Sequence, residues 1–172
     1  TKQEMEIKVG KWVLDHVQVL NHSPFSTDLV TIPDDDQVIK INKNYVDAEL
    51  RIAVGCIVPH TLAGFSGGAK AVIPGIGGIE TLKSNHLLVY EDSSKNMSFK
   101  TSTCNPDNAM RTNMERIVGK VGLDFIVNVV LNDKMGVADV FAGHFIKAHR
   151  AACRRAMECL QTELVRDADI LV

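Results

Sequence analysis

From His60 to His86 the chain places six glycines, two histidines and two lysines, Lys70 and Lys83, with Pro74 among them and Glu80 as the one acidic residue. Directly before this stretch runs Leu50–Ile57 (LRIAVGCI), which is short, apolar and continuous. Such a run predicts a strand buried on both faces. Helical spacing resumes over Ile79–Tyr90. The order strand, glycine-rich loop, helix restricts the fold to an α/β class. In open α/β sheets it is also where ligands bind. Glycine lets backbone approach a bound group closely, and a lysine in such a loop requires a partner if it is buried. The segment therefore reads as a site for an anionic or electrophilic group.

The flanking sequence supplies the remaining elements. Met5, Val9, Trp12 and Val13 predict a helix over residues 2–15, and Val17–Leu20 reads as a short strand. Asp28–Ile32 and Gln37–Ile41 flank Pro33-Asp34-Asp35-Asp36, a hairpin signal with the acidic turn in solvent. Residues 91–106 are polar and read as a loop. Asp107 is placed to cap a helix running to about Val121, which Gly122 ends. Leu123–Leu131 is the clearest strand, and Val137–Phe141 is placed to pair with it. A long helix over His144–Leu164 and a strand beginning at Ile170 complete the chain. Strands alternating with helices, plus hairpins, predict a mixed sheet with flanking helices.

Composition excludes several function classes. Apolar residues make up 45% of the 172 and the net charge is −2, with both signs interspersed. No basic run with interleaved aromatics points to nucleic acid, and no apolar run approaches the roughly 18 residues that span a bilayer. Cys56, Cys104, Cys153 and Cys159 form neither a CxxC pair nor a zinc spacing. Reduced cysteines without a leader pattern place the expectation in the cytoplasm. The start at Thr1 and the end at Asp167-Ala168-Asp169-Ile170-Leu171-Val172 predict a piece of a longer protein.

Each residue of the loop admits a chemical reading and a structural one. Gly64, Ser66, Gly67, Gly68 and Lys70 resemble a phosphate loop, but Ala71 stands where GxxxxGK[ST] needs Ser or Thr. Phosphate contact by backbone N–H groups stays compatible with the loop. His60, after a proline at the end of a strand, suits a general acid or base, or a ring bonded to the loop backbone. Lys70, among Ala69, Ala71, Val72 and Ile73, suits a nucleophile or covalent anchor, or a side chain reaching solvent. His86, beside Asn85 on a helix, suits a metal ligand or a structural ring. His16, His22, His144 and His149 fall to surface or structural roles. Asp34–Asp36 lack the spacing of a calcium loop.

The run IVPHTLAGFSGGAK (57–70), then PGIGGIET and Asn85-His86, resembles the lactate racemase family, nickel-dependent 2-hydroxyacid racemases and epimerases. NKNYVDAEL (42–50), Asn105-Pro106, NVVLN (128–132) and FAGH followed by AHR extend the resemblance over most of the chain, with Asn113 where many relatives carry an acidic residue. The spacing His60–Lys70–His86, ten and then sixteen residues, is its strongest element. The resemblance implies a nickel-pincer nucleotide held covalently on Lys70 through a thioamide, with His86 as the protein ligand to nickel and two sulfurs and a carbon supplied by the cofactor. It implies that His60 is one of two catalytic histidines: a histidine takes the hydroxyl proton while the C2 hydrogen leaves as hydride to the pyridinium ring. It implies a small 2-hydroxy acid as substrate, cofactor-synthesis proteins as partners, and neither nucleic acid nor membrane. It places residues 1–166 in the C-terminal part of a cofactor-binding domain and 167–172 at the connection to the next domain. The second catalytic histidine and the groups that hold the substrate carboxylate then lie outside this chain, and the piece alone is expected to be inactive. Two other readings stand beside it: a non-catalytic nucleotide- or phosphate-binding module with structural histidines, and a zinc hydrolase using His60 and His86 with Glu80 as the local acidic candidate.

Overall fold

In the structure, a computed structural model, residues 1–96 and 103–161 are described. The expected mixed α/β architecture is present. Strand β3 (Ile52–Ile57) lies parallel to β6 (Phe125–Leu131), and β6 lies antiparallel to β7 (Val137–Gly143), giving the sheet order β3-β6-β7. Hairpin β1 (Leu29–Ile32) and β2 (Ile39–Asn42) forms a separate two-stranded sheet, paired from Leu29 with Asn42 to Ile32 with Ile39. A third, minimal pair joins β4 (Pro59–His60) to β5 (Gly64–Phe65) inside the glycine-rich segment.

Helix α6 (Lys147–Leu160) packs on β3, β6 and β7. It buries His149, Ala152, Cys153 and Ala156, at helical spacing, against Ile57, Phe65 and Val130. Helix α5 (Ala109–Val121) buries Met110, Met114, Ile117 and Val118 in a second cluster with Ile39, Ile41, Val72, Ile73 and Ile126. Its N-cap is Asn108, one residue beyond the expected Asp107, because the Asn108 side chain accepts from the Arg111 N–H at 2.9 Å. Gly122 ends it at φ 95°. Helix α4 (Ile79–Asn96) packs against α5 and continues past the predicted end at Tyr90 into part of the expected polar loop.

Several expectations need correction. The predicted helix over residues 2–15 is two helices, α1 (Lys2–Val9) and α2 (Lys11–His16), because Gly10 sits at φ 83° between them. Val17–Leu20 forms no strand: among the described residues nothing pairs with it, and Val17 and Leu20 are exposed. The acidic turn is not all in solvent. Arg116 and Lys120 of α5 both bond the Asp34 carboxylate at 2.5 Å and hold its pKa far below the usual range. Among the described residues the run 50–57 is covered on one face only. Ala53 and Ile57 are buried, while Ile52 and Val54 stay 52% and 75% exposed, because α6 and the loop pack on the opposite side of the sheet. The expected helix over His144–Leu164 begins at Lys147. The strand expected at Ile170 and the boundary at 167–172 lie outside the described residues.

Gly119 offers a stability test of α5. It is exposed, in the last turn of the helix, and a Cβ there meets nothing within 4 Å. Gly119→Ala is expected to stabilise the fold by about 0.5–1 kcal/mol, read as a higher urea midpoint with an unchanged slope.

Candidate active site

The site grows from the way β3 hands over to α4. After Ile57 the chain turns back on itself through the β4–β5 pair. Ser66 closes this turn: its Oγ accepts from the Val58 N–H at 2.8 Å and donates to the Cys56 carbonyl at 2.5 Å. A short 3-10 helix, Gly68–Ala71, then carries Lys70. Gly64 and Gly68 adopt φ 74° and 56°, where side chains are strained. A Cβ on Gly68 would sit 2.8 Å from His149 Cδ2, so the loop lies directly on α6. The Asn128 side chain, on the buried face of β6, accepts from the Gly68 N–H at 3.0 Å.

His60 and His86 are held in opposite tautomers. The N–H groups of Leu62 and Ala63 donate to His60 Nδ1 at 3.2 and 3.1 Å, so a neutral His60 carries its proton on Nε2. His86 Nδ1 donates to the Leu82 carbonyl, one turn back along α4, at 2.8 Å, which leaves the Nε2 lone pair free. A ring fixed through Nδ1–H on a backbone carbonyl is the usual arrangement of a metal-ligating histidine. Burial, then Lys70, Arg111 and His86 in that order, lower the His60 pKa, so the motif residues share one electrostatic neighbourhood.

Lys70 is half-buried and has no acidic partner among the described residues. Burial first, and then Arg111, lower its pKa, which favours the neutral, nucleophilic amine. Glu80 is engaged by Lys40 at 2.8 Å, and no group of three metal-ligating side chains occurs among the described residues. The zinc-hydrolase reading therefore lacks its third ligand. A metal on His86 would take its remaining donors from outside the described residues. Asn85, next to His86, is buried and donates to the Met110 carbonyl at 3.1 Å and to Asn113 Oδ1 at 2.9 Å, tying α4 to α5.

Two buried groups beneath the loop escaped the sequence reading of the site. Arg111 bonds the carbonyls of Ala63, Phe65 and Gly67. His149, assigned a surface or structural role, is fully buried and bonds the Ser66 carbonyl through Nε2 at 2.9 Å. Burial drives its pKa down to about 3. The unfolded ring titrates near 6.5, so the unfolded state binds the extra proton in between and stability falls as pH drops below 6.5. By pH 5 this single group is expected to cost about 2 kcal/mol. His149→Gln, which keeps a donor for Ser66, is expected to flatten the plot of unfolding free energy against pH between 6.5 and 4.

Comparison with known proteins bears on the family and the fold. The family model described as the lactate racemase N-terminal domain matches residues 1–98. A protein named lactate racemase from Thermoanaerobacterium thermosaccharolyticum is 33% identical over 100% of this chain and 40% of its own length. Another of that name, from Lactiplantibacillus plantarum, is 31% identical with the same coverage. This chain thus spans about 40% of the length of those relatives. The solved lactate racemase apoprotein from T. thermosaccharolyticum superposes with a TM-score of 0.80 over 92% of this chain and 38% of that one. A Thermotoga maritima protein, 24% identical, shares the fold with a TM-score of 0.72 over 92% of this chain and 43% of its own.

Proposed function

This chain belongs to the lactate racemase N-terminal domain family, and from that premise we propose that the whole protein interconverts the two enantiomers of a small 2-hydroxy acid. The proposal includes a nickel-pincer nucleotide, delivered by the proteins that make it, with Lys70 as its covalent anchor and His86 Nε2 as the protein ligand to nickel. The carrying observation is a half-buried lysine that has no acidic partner among the described residues, together with a histidine whose Nδ1 is fixed and whose Nε2 is open. When bound, the nucleotide supplies the hydride acceptor and donor for the C2 hydrogen.

The chain's own residues supply positioning and proton handling. His60 presents Nε2–H, a donor suited to the oxygen on C2 of the substrate. Taking a proton at Nε2 requires the neutral ring to carry its proton on Nδ1 instead. The Leu62 and Ala63 N–H groups must then release Nδ1, so the base step is coupled to a shift of the His60–Ala63 turn. Gly64, Gly67 and Gly68 let the loop that carries Lys70 pack closely on Asn105, Asn128 and His149, and Ser66 keeps that turn closed through its two backbone bonds. The Gly68 N–H, committed to Asn128, is not free for phosphate, which weighs against the plain nucleotide-binding module.

The test uses the full-length protein, produced together with the cofactor-synthesis proteins. Single enantiomers of lactate and of bulkier 2-hydroxy acids are incubated with it and the products separated on a chiral column. The antipode of at least one acid is expected. No antipode from any of them would overturn the proposal.

A further inference from the structure

Arg111 heads the fully buried side chains by size, with no exposed surface. Its guanidinium donates from Nε to the Ala63 carbonyl at 3.3 Å, from Nη1 to the Gly67 carbonyl at 3.0 Å, and from Nη2 to the Phe65 carbonyl. All three acceptors lie between His60 and Lys70. Among the described residues no carboxylate lies within ion-pair distance of it. Glu115, the acid with the strongest pull on Arg111, is bound by both terminal nitrogens of Arg150, at 2.8 and 3.0 Å. A buried cation without a counter-ion is costly, and an apolar side chain would fill the space more cheaply. Its fork of donors explains the choice, since one rigid plane reaches three separate carbonyls where a lysine offers a single point.

We propose that Arg111 is a positioning residue of this site: it gathers the Ala63, Phe65 and Gly67 carbonyls and so fixes how His60 and Lys70 are presented from one loop. Its charge has a second consequence, because it lowers the pKa of both side chains. Arg111 reaches Lys70 from α5 and His60 faces it from β4. His149 of α6, under Gly68, is neutral near pH 7, and Glu115 and Arg150 balance each other behind Arg111. The functional value of this arrangement rests on Lys70 and His60 being the working groups. The clamp itself does not.

The test uses the full-length protein made without cofactor, with Arg111→Lys and Arg111→Met variants. Hydrogen exchange is followed in peptides covering residues 61–72 and, as a control, the β1–β2 hairpin. Competitive acetylation of Lys70 across pH reads its amine. In Arg111→Lys, exchange across 61–72 is expected to rise at least tenfold while the hairpin keeps its rate. In Arg111→Met, acetylation of Lys70 at pH 8 is expected to slow as its midpoint moves up. A purely structural arginine would raise exchange everywhere and leave the Lys70 midpoint unchanged once folded protein is compared, and that result would overturn the proposal. Unchanged loop exchange in Arg111→Lys would also overturn it, and decides the matter alone if Arg111→Met does not fold. None of these readings needs nickel or substrate, so loss of the racemase reading would leave them standing.

Discussion

A Gly64→Ala protein is expected to be largely unfolded at 37 °C, with stability lowered by roughly 3–5 kcal/mol. Two costs combine. Gly64 sits at φ 74°, which strains any residue bearing a Cβ by about 1–2 kcal/mol. The added carbon would also point into the carbonyl oxygen of Asn105, a backbone atom that cannot rotate away. The Gly64 carbonyl accepts from the Cys104 N–H at 3.1 Å, so moving the loop to relieve the clash breaks the link to the segment before α5. Marginal domains do not absorb a loss of this size. Urea denaturation reads the effect directly, and a Gly64→Ala unfolding free energy within about 1 kcal/mol of wild type would contradict it.

His60→Ala in the full-length, cofactor-loaded protein is expected to lower kcat/KM for racemisation about a thousandfold, the size of a lost general acid or base. Folding should be little affected, since the ring is only part-buried and its hydrogen-bond partners among the described residues are the two N–H groups of its own turn. The pH profile gives the sign. Burial and the cations nearby lower the His60 pKa, and of those cations Arg111 keeps its charge once Lys70 is bonded to the cofactor, so the ring is neutral at pH 7. The acid limb of kcat/KM governed by this group therefore lies below pH 6.5. It should move up in Arg111→Met, where one of those cations is gone. Parallel chiral assays of wild type and variants across pH 5–8 measure both effects.

The strand–loop–helix frame and the residues on it were legible because each signal is local. An apolar run, clustered glycines and a return to helical spacing need no knowledge of what packs above them. The failures share a different cause. Ile52 and Val54 have the pattern of a strand covered twice, yet coverage depends on elements elsewhere, and here they stay exposed. Val17–Leu20 is apolar enough for a strand and lacks a neighbour to pair with among the described residues. Arg111 stands on an amphipathic helix, where an arginine reads as solvated. Nothing in its own neighbourhood shows that the chain some 45 residues earlier turns three carbonyls toward it. The tautomers of His60 and His86 were likewise out of reach, since each depends on which backbone group faces Nδ1.

The claim at the centre is that Lys70 anchors a nickel-bearing group beside His86. Intact mass and nickel content of the full-length protein, produced with the cofactor-synthesis proteins, address it most directly, with Lys70→Ala and His86→Ala alongside. The account predicts a mass adduct and about one nickel per chain in wild type, as a single soft-donor site requires. Both should vanish in Lys70→Ala, and the nickel should fall in His86→Ala. A wild-type protein with neither adduct nor nickel under those conditions would contradict the account and return His60, Lys70 and His86 to the architecture of a loop.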